Sequence, residues 1–260
     1  MARVNHELLI LISQEIGGSP IFLLSELQRI KEKAVTYRNL LLAENPLWDN
    51  NDARVRPIQK FINILEKTRF QIFILTKLVD DEWSASNLSF PDGKEPLNYR
   101  QMVAHETMVG TRLQFGLFAF FQIETYFRIY LRTLDPIACN GSTDAFKNIH
   151  QCLLGQTQLN FPQKERELAD EMLELVRLFR NLIHNDGTYF EKRKNDEIAI
   201  YRGKQYHFRH ATQVDFATWE LLLMLFEDIV DLLVKVIRQP KIFSIDRIPD
   251  PLGLKVSTAS

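Results

Sequence analysis

At 260 residues the chain can bury a full core, either as one large domain or as two small ones. Apolar residues make up 45% and charged residues 25%, which excludes a disordered chain. A formal charge of −1 excludes a global field for nucleic acid or membrane and leaves only local patches to look for.

The start of the chain, MARVNHELLILISQEIGG, has a short apolar run preceded by His6 and Glu7. It lacks the basic start and small-residue cleavage site of a secretory signal. A first helix is expected to about Ile16, where GGSP stops it: Gly17 suits the left-handed cap and Pro20 restarts the chain. A second helix is expected over roughly Ile21–Ala43, broken by NPLWDNND, and a third over about Val55–Val79. Asp80–Asn98 reads as a polar loop with two prolines, and as a boundary between an N-terminal helical region, 1–98, and the remainder.

A long helix is predicted from Tyr99 to Leu134, ended by Asp135-Pro136. Its stretch Leu113–Leu131 is long enough for a membrane span, but Gln114, Gln122, Glu124 and Arg128 interrupt it, so a buried or interfacial helix in a soluble protein is expected. Ser142–Leu154 reads as a short helix capped by Ser142 and closed by Gly155, and the next helix runs from near Pro162 to Asn185-Asp186-Gly187. IAIY and QYHF around Arg202-Gly203-Lys204 predict a hairpin near 197–208. A last helix is expected over about Val214–Ile237, then an extended tail, 239–260. The fold class is mainly α: helical bundles with one small β-hairpin and extra N-terminal helices.

Cys139 and Cys152 are too few for a disulfide scaffold or a four-thiolate zinc site, and read as reduced cysteines of a cytoplasmic protein. No cofactor or metal is expected. His207 and His210 lack neighbouring ligands, the WDNND loop lacks the spaced calcium-loop pattern, and no glycine-rich nucleotide loop is present.

The stretch LVRLFRNLIHNDGTYF, residues 175–190, carries the chemistry. With Arg177 set at zero on a helical wheel, His184 falls at roughly −20°, Arg180 near −60°, Asn181 near +40° and Glu174 near +60°. Two guanidiniums, an amide and an imidazole thus share one face. A guanidinium fork matches phosphate oxygens, and an imidazole moves protons near neutrality. The set suits cleavage of an RNA phosphodiester without metal, with arginine stabilising the phosphorane and histidine acting as acid or base. The plainer alternative is an ordinary polar face, with Arg and His near the negative end of the helix and Glu174 paired to Arg177. Leu173, near −40° within the polar arc, points to a partner on this face.

Arg180-Asn181-Leu182-Ile183-His184-Asn185-Asp186-Gly187 resembles the signature of the HEPN superfamily, an arginine and a polar residue with a histidine downstream on the same helix. Glu124 and Arg128, one turn apart, are similar to the preceding helix of bacterial HEPN-like proteins, and the likeness covers about Tyr99–Arg238. It implies a helical domain over 99–238, a metal-independent endoribonuclease of toxin–antitoxin or phage-defence type, and a homodimer with a composite site. RNA and an antitoxin protein are the implied partners. Arg180, Asn181 and His184 become the catalytic set, with Arg177 as a further phosphate contact. The family usually places four to six residues between arginine and histidine. Here three separate Arg180 from His184, and Arg177 meets the longer spacing but precedes Leu178.

From Arg177 to Arg209 eight Lys/Arg oppose four Asp/Glu, an excess of four. Lys192, Arg193, Lys194, Arg202 and Lys204 are therefore candidate nucleic-acid contacts, and Tyr189, Tyr201 and Tyr206 candidate stacking platforms. A solvated, lysine-bearing hairpin accounts for the same charges. The alternative function is a non-catalytic dimerisation or protein-interaction module, or a nucleotide-binding scaffold, using the same polar face.

Overall fold

The computed structural model describes residues 5–87, 98–183, 188–190 and 195–250. Its first helix, α1 (His6–Ile16), is capped by the Asn5 side chain, which accepts from Leu8 N–H at 3.0 Å. It ends where Gly17 takes φ 72°, and the Gly17 and Gly18 amides close the last turn on Gln14 and Ser13. Pro20 opens α2 (Pro20–Glu44) behind Ser19, and α3 (Arg56–Lys77) packs back along it. Within the segment expected as a loop, Asp81–Asn87 forms a short helix, α4. Asp80 explains it: its carboxylate accepts from the Glu82 and Trp83 amides at 3.0 Å, and Asp81 and Glu82 suit the positive helix end.

Helix α5 (Tyr99–Leu134) has the bounds its sequence predicts. The helix expected over Ser142–Leu154 is divided into an irregular turn, α6 (Ala138–Ser142), and α7 (Phe146–Leu154). Ser142 is not the cap: it closes a run in which Cys139, Asn140, Gly141 and Ser142 all have positive φ. Helix α8 (Gln163–Ile183) follows. Strand β1 (Thr188–Tyr189) pairs antiparallel with β4 (Thr212–Gln213), bracketing the predicted hairpin of β2 (Glu197–Tyr201) and β3 (Lys204–Phe208). Arg202 and Gly203 both have positive φ, as a tight two-residue hairpin turn demands. Because β4 uses Thr212 and Gln213, α9 (Trp219–Ile237) starts later than expected, at the Thr218 cap.

Helix α9 is apolar nearly all round, and it is buried on several sides by α2, α5 and α8. Phe226 on α9 meets Phe61 of α3 at 5.0 Å and stacks on Phe115 of α5 at 4.6 Å. One buried cluster therefore runs from α1 to α9, and the segment after Val79 does not divide two cores.

The chain after Gln239 is not extended throughout. Pro240–Phe243 makes one helical turn, α10, and Pro249 bridges to Asp52. No single helix among the described residues is long and apolar enough to cross a membrane.

Candidate functional site

The last two turns of α8 carry Arg177, Arg180 and Asn181, while His184 lies outside the described residues. The apolar wall of α8 is wider than one stripe because α5, α7, α9 and β2 all touch it. Leu173 is consequently 0% exposed, a core residue and not a contact for a partner.

Arg177 is consumed internally. Its Nε and Nη2 donate to the two Glu174 oxygens at 2.9 Å, and Nη2 also reaches Glu197 Oε2 on β2. Glu197 in turn accepts from the Tyr189 hydroxyl. Burial alone would lower the Arg177 pKa, but the two carboxylates outweigh it and the net shift is upward. Burial alone would raise Glu174, yet Arg177, with help from Lys147 and His150, holds it below the usual carboxylate range. This knot fixes the hairpin to α8.

Arg180 is placed differently. Its side chain is 36% exposed, its Nη1 stands 3.6 Å from Glu124 Oε2, and its guanidinium carbon lies 5.1 Å from the Phe120 ring centroid. Glu124 is held in turn by Arg128, whose Nη2 donates to it at 2.6 Å. Arg128 Nη1 donates to the carbonyls of Ser142 and Asp144 at 2.7 and 2.9 Å, which anchors the chain of charges on the left-handed turn at α6. So the Glu124–Arg128 pair singled out in the sequence does converge on Arg180. Asn181, next on α8, is partly buried.

Of the five candidate basic residues of the hairpin, Arg202 and Lys204 are described. Lys192, Arg193 and Lys194 lie outside the described residues. Arg202 is clamped by Asp228 of α9, with contacts of 2.8 to 3.1 Å, and Asp228 also accepts from the Tyr201 hydroxyl at 2.6 Å. Strand β2 puts roughly 13 Å between its Glu197 end, at Arg177, and its Tyr201 end, at Arg202. Lys204 is exposed, with Nζ 5.4 Å from the Tyr206 ring centroid.

Tyr189, Tyr201 and Tyr206 are not stacking platforms, because all three are buried. They face inward with Phe208 and Phe216: Tyr189 meets Phe208 at 5.4 Å, and Tyr206 meets Phe216 at 5.3 Å. The outward alternates of β2 are Ile198 and Ile200. Asp52 and Asp49 of the WDNND loop are occupied by Arg54 and Arg247.

Two residues that matter here carried no motif. Phe120 forms the floor under Arg180, and its signal is its position one turn before Glu124 on the same helix. Glu197 captures Arg177 from twenty residues away, and no local pattern marks it.

Comparison with models of known families, with curated proteins and with solved structures returns no match to this chain.

Proposed function

We propose that this protein is a HEPN-like, metal-independent RNA-cleaving or RNA-binding protein of toxin or defence type, with Arg180 as its phosphate grip. One observation supports the choice of arginine: Arg180 is oriented by Glu124 and Phe120 yet keeps 36% of its side chain open. Arg177, tied to Glu174 and Glu197, serves the fold. In this reading Arg180 stabilises the phosphorane, Asn181 holds the ligand or the imidazole, and His184 moves the proton. A single imidazole supplies half of an acid–base pair, so a homodimer with facing motif helices completes the site.

The test is cleavage of end-labelled RNA in EDTA by the wild type, Arg180→Ala and His184→Ala. Loss of cleavage in both variants, with unchanged circular dichroism, is expected; equal cleavage by all three overturns the enzyme reading. Growth arrest on expression that disappears in either variant adds the toxin or defence role.

The capture of Arg177 favours one second reading, a non-catalytic interaction module using this face. It expects His184→Ala to alter sedimentation or partner binding, with no nuclease activity in the wild type.

A further inference from the structure

The chain contains two cysteines, Cys139 and Cys152, and the fold brings them together as free thiols. Cys139 sits in the irregular turn α6, where the four residues from Cys139 to Ser142 all take left-handed backbone angles. From that turn its side chain reaches α7, where Sγ donates to the Asn148 carbonyl at 3.6 Å. Cys152 lies one turn further along α7, and a helical side chain leans back over the preceding turn, here the turn of Asn148. The two thiols are hydrogen-bonded, and burial followed by this contact pushes the Cys139 thiol up to about 12. Both side chains pack against the core while remaining only half-buried, open to a small reagent.

Two thiols held in contact have already closed the loop between them, so joining them costs little chain entropy in the folded state. The sulfurs must approach to about 2.05 Å, a change for rotation about the two Cα–Cβ bonds and for the irregular turn to absorb. A thiol that resists ionisation attacks slowly and leaves slowly, which suits a persistent bond rather than catalysis of exchange.

We propose that Cys139 and Cys152 form a reversible dithiol–disulfide site that, on reaction with a small disulfide such as oxidised glutathione, ties α6 to α7. One protein thiolate attacks the reagent, forms a mixed disulfide and expels one reagent thiolate. The second protein thiol gives up its proton and attacks the protein sulfur of that mixed disulfide, expelling the other reagent thiolate. The protein loses two electrons and two protons, and the two reagent thiols carry them away. The inference goes beyond the RNA reading and stands without it, since no residue of the Arg180 site takes part. The tied turn is nonetheless the one whose Ser142 and Asp144 carbonyls hold Arg128, so oxidation also stiffens the support of Glu124.

The experiment equilibrates the full chain in buffers of reduced and oxidised glutathione, traps free thiols with N-ethylmaleimide and weighs the denatured protein. Because the chain has no third cysteine, a monomer that has lost two hydrogens and takes no label carries the Cys139–Cys152 bond. Half-oxidation of the native protein is expected at a ratio of oxidised glutathione to the square of reduced glutathione at least about tenfold lower than for the chain in urea. Dithiothreitol should return both thiols. Cys139→Ser and Cys152→Ser should each stop at the mixed disulfide, and amide exchange over Asn140–Ala145 should slow in the oxidised wild type. A native chain no easier to oxidise than the unfolded one overturns the proposal. So does a native wild type that ends as mixed disulfides, or one whose α6 amides exchange equally fast in both states. These comparisons use the wild type alone and decide the matter even if a serine variant fails to fold.

Discussion

Arg180 on α8 and Glu124 on α5 stand 3.6 Å apart, with the guanidinium over the Phe120 ring, in an arrangement that orients it without burying it. Glu124 keeps its stronger partner, Arg128, at 2.6 Å. Removing Arg180 therefore leaves no carboxylate stranded. Under the proposed function, Arg180→Ala lowers RNA cleavage by about 10²–10³-fold, as loss of one transition-state donor does. Its unfolding free energy changes by no more than about 1 kcal/mol, because the side chain is partly exposed. Arg180→Lys keeps the charge but not the fork and recovers only part of the rate. A gel assay in EDTA and a urea melt on the same preparations check both halves. An Arg180→Ala variant that cleaves like the wild type refutes the assignment.

Arg177 predicts the opposite balance. Its loss takes the guanidinium from Glu174 and Glu197, both about three-quarters buried, leaving them only Lys147 and the Tyr189 hydroxyl, and releases β2 from α8. Arg177→Ala should cost about 1–3 kcal/mol of stability, discounted from a fully buried pair for the remaining solvent. Arg177→Met in a Glu174→Gln, Glu197→Gln background should recover most of that loss, since the stranded charges are then gone. Urea midpoints of the four proteins measure it; additive losses with no recovery would show that the three charges are not coupled.

Features set by neighbours in the chain were legible in the sequence. Gly17 and Pro20 punctuate α1 and α2 through backbone angles alone, and Arg202-Gly203 sets a two-residue turn in the same way. The site was only half legible. The sequence separated a polar from an apolar side of α8, but Leu173, which falls within the polar arc of the isolated helix, is buried, because α5, α7, α9 and β2 all pack on α8. Alternation in the hairpin fixes two faces without saying which one turns inward. The side with Tyr201, Tyr206 and Phe208 does, leaving Ile198 and Ile200 outside. Arg177 and Arg180 look equivalent until Glu197 and Glu124 arrive from distant segments and select one of them for structure.

Glu227 of α9 makes acid stability measurable. It receives both ends of the Arg29 fork at 2.9 and 2.7 Å and Lys33 at 2.9 Å. The Arg29 hydrogen bonds, opposed by burial and aided by Lys33, hold its carboxyl at about 2, below the ordinary 4.5. A depressed folded-state pKa stabilises the protein fully above the unfolded value, and that contribution fades as pH falls from about 4.5 to about 2. After screening it is worth about 2 kcal/mol. Urea midpoints taken across that window should fall more steeply for the wild type than for Glu227→Gln. Parallel slopes would mean that the α2–α9 pair contributes nothing.

Arg54 is completely buried. Its Nε and Nη2 engage both oxygens of Asp52 at 2.8 and 2.7 Å, and its guanidinium lies 3.8 Å from the Trp48 ring centroid. The remaining donors satisfy the carbonyls of Ile242, Ile245 and Asp246, so one side chain ties the loop before α3 to the segment after α9. Asp52 also accepts the Ile248 amide at 3.2 Å. Arg54→Ala leaves a buried carboxylate and three carbonyls without their donor, which should cost about 3–5 kcal/mol. Loss should begin locally: amide hydrogens of Ile242–Ile248 exchange first, while α5 and α9 hold until global unfolding. If Arg54→Ala unfolds within about 1 kcal/mol of the wild type, the clasp is ornamental. The segment after α9 must then be held by the burial of Ile242 and Ile248 and by the contacts of Ile248 with Ala53 and of Asp250 with Arg56 and Tyr126.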